Sequence, residues 1–504
     1  MAFEPMYDEF KSDYQKKIAV FQTTVEVTLR ADAEITKALA ATADAAVTGY
    51  EALSEEARVN GRALFKALYL DSAGVCRSAD YTADFTENLQ NDEISPVSEL
   101  RFSSSVIDID TLSVSAQDIK VAAVIETSAF KHVRDEIRYF KGGQDLYTQK
   151  SEINFLQAAA KIKDEFSLNE EYPIKDKITQ ILLCEVSAYK TSVRIGADSV
   201  TVAGKLVTNL TYAVEEGDIR YQIFTLDFTE ELAAQGARDG DIAGFDISVQ
   251  KNSARLQLSE AGSSVIFDCV LSAAAVVYRE ASRETVTDAF SVTHEINVVQ
   301  DTFSAGRLAA SEHLNERIEG TAALDGDMPA IDSVYSVCGN RINVANAYAG
   351  DGKITLEGVI NVNIIYYNAE PGSINSVSAE LPFSVMQNIP AAREGMTVNA
   401  KAVIADAHAR QRKAGEVDVG VSAVFTVDFY SQTENTVVKD VELGVPRDTR
   451  LTTFGVHIAR EGEALWDVAK SMCATPELII SQNPSLKLPL AGGERILVYR
   501  RKVN

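Results

Sequence analysis

The chain has 504 residues and 46% hydrophobic content, enough for three or four domain-sized cores and too apolar for a disordered polymer. A net charge of −25 argues against nucleic acid and anionic membrane as partners, since both reward basic surfaces. Five scattered cysteines (Cys76, Cys184, Cys269, Cys338, Cys473) form neither a disulfide framework nor a zinc pattern and read as thiols in a reducing compartment.

In chain order, residues 1–20 lack the uninterrupted apolar core of a signal peptide, and no later run approaches a membrane span, so a cytoplasmic location is expected. Met6, Tyr7, Phe10, Tyr14, Ile18 and Phe21 recur at spacings of three and four, which predicts one stripe of an amphipathic helix. The alanine-rich stretch 31–47 also reads as helical. Residues 57–69 then begin a series of alternating apolar and polar segments, each the pattern of a strand with one buried face. Further strands are expected at 121–125, 200–212, 265–278, 354–366, 417–430 and 436–443. Asp239, Gly240 and Asp241 lack the remaining ligands of a calcium loop and read as a hairpin turn. Gly350 to Lys353 lacks the first glycine and the Ser or Thr of a phosphate loop and reads as a turn into a strand.

Three of these strands share a pattern. Gly61 and Tyr69, Gly204 and Tyr212, and Gly358 and Tyr366 hold the same places in their segments. A glycine inside a strand marks a bulge, a bend or a close approach of another backbone. Asp84, Phe85, Thr86 and Glu87 recur as Asp227, Phe228, Thr229 and Glu230, while the third segment keeps only Phe383. Glu152, Ile153, Asn154 and Gln157 match Glu295, Ile296, Asn297 and Gln300, with a fainter version in Ile18, Phe21 and Gln22. Short matches in one order imply a triplicated unit. The expected organisation is mainly β: antiparallel, sandwich-like repeat domains at 1–141, 142–283 and 284–445, then a small α+β module at 450–504.

Catalytic patterns are missing. The five histidines (His132, His294, His313, His408, His457) are isolated, no serine sits in a nucleophile elbow, and the strands share no acidic cluster. The sequence therefore predicts no enzyme, no cofactor and no metal, and repetition of a β unit points to length, valency or assembly.

The last module is read as a strand over 452–458, helices over 465–472 and 474–481, and a final strand over 495–499. Thr475 is a plausible N-cap with Pro476 in the first helical position. From Leu451 onward seven Lys or Arg face five Asp or Glu, so the module carries +2 and the remainder −27.

This order of elements resembles the LysM domain, through Val456, Glu461, Gly462, Leu465, Trp466, Val468, Ala469, Pro476, Leu478, Asn483, Pro484, Gly493 and Ile496. The resemblance implies a shallow groove for N-acetylglucosamine glycan, lined here by Gly462, Glu463, Ala464 and Leu465 and by Ile480, Ser481, Gln482, Asn483 and Pro484. Where glycan binders have Gly-Asp-Thr, this chain has Gly462, Glu463 and Ala464 and loses a hydroxyl. Trp466, inside the first helix, reads as core packing rather than a sugar-stacking platform. Repeats of this kind, followed by one such module and preceded by no signal peptide, look like the SipL-like family of spore-coat morphogenetic proteins. That resemblance implies a structural scaffold on the mother-cell side of the forespore. Its module would engage the ATPase of the coat basement layer or other coat proteins. The alternative is a wall-associated protein that binds peptidoglycan and uses the repeats as a spacer.

Overall fold

A computed structural model describes residues 4–499 except 216, 260–261, 325, 327, 371 and 448–453. The first six strands are Met6–Arg30 (β1), Ile35–Ala52 (β2), Glu56–Asp71 (β3), Cys76–Gln90 (β4), Glu99–Val114 (β5) and Asp118–Gly142 (β6). The next six are Tyr147–Ile174 (β7), Ile178–Ile195 (β8), Ser199–Val214 (β9), Ile219–Ala233 (β10), Ile242–Ser259 (β11) and Gly262–Phe290 (β12). His294–Ala323 (β13), Ser333–Gly350 (β14), Lys353–Asn368 (β15), Ser373–Asn388 (β16), Thr397–Lys413 (β17) and Glu416–Pro446 (β18) follow. The chain closes with Phe454–Ile458 (β19), the helices Leu465–Ser471 (α1) and Pro476–Gln482 (α2), and Arg495–Tyr499 (β20).

Each six-strand set makes the same two antiparallel sheets. In the first set they are β1-β6-β5 and β2-β3-β4; the second has β7-β12-β11 and β8-β9-β10, and the third β13-β18-β17 and β14-β15-β16. The inward residues of both sheets form one core per set, as in a sandwich. In the first set Val25, Leu29, Phe65, Tyr69, Val121 and Ile125 meet there. Comparable cores gather around Val202, Phe228 and Phe267 in the second set and around Ile360, Phe383 and Phe425 in the third.

The register explains the repeated glycine. Gly61 pairs with Phe85, Gly204 with Phe228 and Gly358 with Phe383. A Cβ at these glycines would lie 2.1, 2.3 and 2.7 Å from the Cζ of the opposite phenylalanine, so the ring lies over the bare backbone. On the other neighbouring strand the same glycine faces a bulge: Val47/Gly49 in β2, Lys190/Ser192 in β8 and Val344/Asn346 in β14. The aspartate before the phenylalanine has a separate role. Asp84 pairs with Arg62 at 2.9 Å and Asp227 with Lys205 at 3.0 Å, both exposed, where an ion pair contributes about 0–1 kcal/mol. In the third set Val359 pairs with Pro382 instead, so the weak contact is replaced while the Gly–Phe contact is kept.

The longest strands outrun their sheets. The β5 strand stops opposite His132, yet β1 and β6 remain paired out to Met6 and Gly142. The β7–β12 and β13–β18 pairs extend likewise beyond Ile242 and Thr397. These three two-stranded ribbons pack on one another, joining Phe10, Ile137, Ile153, Phe155, Ala305 and Val437 on one side and Phe140, Val286, Ala289, Val438 and Val441 on another. A second shared core collects Leu39, Leu68, Leu182, Leu183, Cys338 and Ile365 from all three sets.

Four local expectations are corrected. Residues 6–21 belong to β1 rather than a helix: a spacing of four is even and keeps Phe10 and Tyr14 on one side of a strand, while the spacing of three puts Tyr7 on the other, against a different part of the ribbon core. Residues 31–47 enter β2, whose small side chains fit because Ala41 faces its own core and Ala40 the shared one. Residues 417–430 and 436–443 are one continuous strand, β18. Residues 239–241 cross between sheets rather than turn a hairpin, and Arg279 clamps the Asp241 carboxylate at 2.9 and 2.8 Å. Asp351 and Gly352 do form the expected turn, with Gly352 at φ +72°.

Candidate functional site

The C-terminal elements run strand, helix, helix, strand. The expected beginning of the first strand, at Thr452 and Thr453, lies outside the described residues, as does the stretch 448–451 before it. Pro446, expected in a linker, is still in β18 and pairs with His294. A core of Ala459, Val468, Ala469, Ala474, Ile479, Leu490, Ile496 and Val498 holds the module together. Gly455 leaves room for the Met472 methyl, which a Cβ there would approach to 2.7 Å and displace. Thr475 caps α2 as expected, its Oγ1 accepting from the Leu478 N–H at 3.0 Å.

The groove residues expected from sequence divide by what their polar atoms do. Gly462, Ala464, Ile480, Ser481 and Pro484 are exposed, Gly462 with φ +75° and Ala464 as an N-cap whose side chain makes no capping bond. Leu465 packs against the core of the module. Glu463 is turned inward: its Oε2 lies 2.9 Å from His457 Nε2 and accepts from the Arg460 N–H at 2.8 Å. The bond with His457, followed by that N–H, holds the Glu463 carboxyl below its ordinary range. Gln482 and Asn483 spend their amides on β20. Gln482 Nε2 donates to the Tyr499 carbonyl and Oε1 accepts from its N–H, both at 2.7 Å. Asn483 Nδ2 donates to the Leu497 carbonyl at 2.7 Å, and its Oδ1 accepts from the Leu497 N–H at 2.8 Å. The outer edge of β20 is thereby closed by side chains, which blocks strand addition on that side.

The opposite face of the two strands is left apolar and open. Phe454 pairs with Tyr499, Val456 with Leu497 and Ile458 with Arg495, so all six side chains share one face. Phe454, Val456 and Ile458 are 65%, 52% and 63% exposed, and Leu497 and Tyr499 are exposed as well. Sequence reading passed over this patch. Its signal was the unbroken apolar run Ile496 to Tyr499, since a two-residue period places Leu497 and Tyr499 opposite the buried Ile496 and Val498.

Trp466 packs against the module core, as expected, but from its rim. It is half-buried between the module and the tip of the second ribbon, edge-on to Phe290 at 4.9 Å between ring centroids. Phe290 in turn stacks on Tyr147 at 5.3 Å. The indole Nε1 donates to Asp288 Oδ2 at 2.8 Å, and Lys470 Nζ reaches both oxygens of that carboxylate at 2.7 and 2.8 Å. Asp288 follows a register shift in β12, the kind of irregularity that re-aims a side chain. The module core is continuous with the rest of the chain, since it includes Phe290 from the second strand set.

The architecture defines a repeated antiparallel β protein with a small α/β module docked at the end of one ribbon. A family model described as SipL, SPOCS domain matches residues 177–257 and 330–411. Those stretches are the same piece of two strand sets, β8 to β11 and β14 to β17, and they point to sporulation as the setting. No curated protein and no solved structure matches the chain. Among the described residues, no helix is long and apolar enough to cross a membrane.

Proposed function

We propose that the chain is a non-enzymatic scaffold of endospore coat assembly, whose C-terminal module is a LysM fold that recruits a coat protein on the mother-cell side of the forespore. The exposed apolar face of β19 and β20 carries this reading. Contiguous exposed apolar surface on a soluble module marks an interaction site, and Arg495 at its margin suits an acidic partner. The SPOCS-domain match supports the sporulation setting, and the partner that the family resemblance suggests is the ATPase of the coat basement layer. The glycan reading has its own support in the exposed Gly462, Ala464 and Ser481, but Glu463, Gln482 and Asn483 direct their polar atoms inward.

The discriminating experiment presents the full chain with the purified basement-layer ATPase and, separately, with purified peptidoglycan. Saturable, salt-sensitive binding to the ATPase, with neither peptidoglycan retention nor release of muropeptides, is the expected outcome. Retention on peptidoglycan alone would favour the wall-associated reading, and muropeptide release would replace the scaffold with an enzyme.

A further inference from the structure

A polar cavity of about 160 Å³ lies where the three strand sets meet, and each set contributes one cation to its wall: Arg101 from β5, Lys190 from β8 and Lys401 from β17. Lys401 Nζ donates to Asp246 Oδ1 at 2.9 Å and to the Ile247 carbonyl at 2.8 Å, while Arg101 Nη1 lies 3.4 Å from Asp246 Oδ2. Lys190, buried, donates to the Phe245 carbonyl at 2.9 Å and stands 3.9 Å from Asp428 Oδ1, which accepts from Ser311 Oγ at 2.6 Å. The third carboxylate of the wall, Glu126, accepts from Gln22 Nε2 at 3.1 Å. Each acidic group of the wall is thus engaged.

Two buried side-chain groups of the wall have no hydrogen-bond partner among the described residues: Nε of Arg101 and the hydroxyl of Tyr430. Arg101 Nε is a donor only, and burial pushes the Tyr430 hydroxyl up, so it keeps its proton to donate. Leaving a buried donor unanswered costs about 1–3 kcal/mol. Charge-assisted bonds from a multi-oxygen anion suit donors of this kind, and the cavity is roomy enough for one.

We propose that this junction binds a small oxyanion of phosphate or carboxylate type, held by Arg101, Tyr430 and Lys190, which ties the three strand sets together. The test is thermal melting of the full chain in inorganic phosphate, in succinate and in chloride at matched pH and ionic strength, with calorimetric titration of phosphate and succinate. A saturable rise in Tm in one of the two oxyanions, with one anion bound per chain, is expected, and the better of the two identifies the ligand type. Tyr430→Phe removes one oxygen and little packing. It should move the half-saturating concentration up by about tenfold, the loss of one hydrogen bond to a charged group. Arg101→Lys, which keeps the charge but removes Nε, should do the same, so the result stands if one variant folds poorly. No rise beyond chloride, or a rise that fails to saturate and is equal in the variants, as general exclusion of the salt from the protein surface produces, would overturn the proposal.

Discussion

Phe10 and Phe454 lie at opposite ends of one scale. Phe10, in the ribbon core, is buried against Phe155, Tyr139 and Phe303, three rings drawn from the three strand sets. Phe454, in the C-terminal module, leaves about two thirds of its surface in water beside Val456 and Tyr499. The body of the molecule hides its aromatic surface by packing its own copies together, whereas the module docks through Trp466 and Lys470 and keeps an apolar face open. The difference separates a frame from a contact surface, and it can be broken from either end.

The largest effect is expected in the frame. Phe10→Ala should cost about 3–5 kcal/mol, since it empties a site where three ribbons meet, and should lower the Tm of the whole chain. Next comes acid. Burial would push the Asp13 carboxyl up, but hydrogen bonds from His132, Arg134 and the Ala158 N–H outweigh it and hold the group at about 2. Its folded value lies below the ~3.9 of an unfolded aspartate, so the stabilisation is present above about pH 4 and disappears as pH falls from about 4 to about 2. Asp13→Asn should therefore remove about 2–3 kcal/mol at neutral pH and flatten the acid limb of stability against pH. An unchanged acid limb would show that the Asp13 contact does not pin the first ribbon to the second.

In the module the effects are smaller. Trp466→Ala should cost about 2 kcal/mol, less than a core aromatic because the ring is half-buried, and should release the module from the second ribbon without unfolding it. Faster hydrogen exchange at the Phe290 end of β12, with exchange in Ile496 and Val498 unchanged, is the signature. Smallest is Asp227→Ala, where the exposed pair with Lys205 contributes less than about 1 kcal/mol. Phe228→Ala beside it should cost several times more, because that ring covers Gly204.

The glycine and the phenylalanine were each legible in sequence as recurring marks, because a side chain at Gly61, Gly204 or Gly358 would collide with the ring; that the two face each other across neighbouring strands emerged only from the register. The docking of the ribbons was not. A strand buried on both faces loses its alternation, so Tyr7, Phe10 and Tyr14 mimic a helical stripe, and the alanines of β2 favour a helix until packing from two sides overrides their propensity. Of the expected groove, the sequence could place Gln482 and Asn483 on a helix end but not reveal that their amides close the edge of β20. The exposed face of the module escaped because a continuous apolar run reads as a buried strand.

The central claim is that the open face of β19 and β20 recruits the protein partner. Phe454→Glu in the full chain, with Tm measured alongside, tests it by titration against the purified basement-layer ATPase. The account predicts an unchanged Tm and at least a tenfold loss of affinity, about 1.4 kcal/mol or more. Undiminished binding by a folded Phe454→Glu chain, with loss instead on substitution of Gly462 or Ala464, would place recognition in the groove and contradict it.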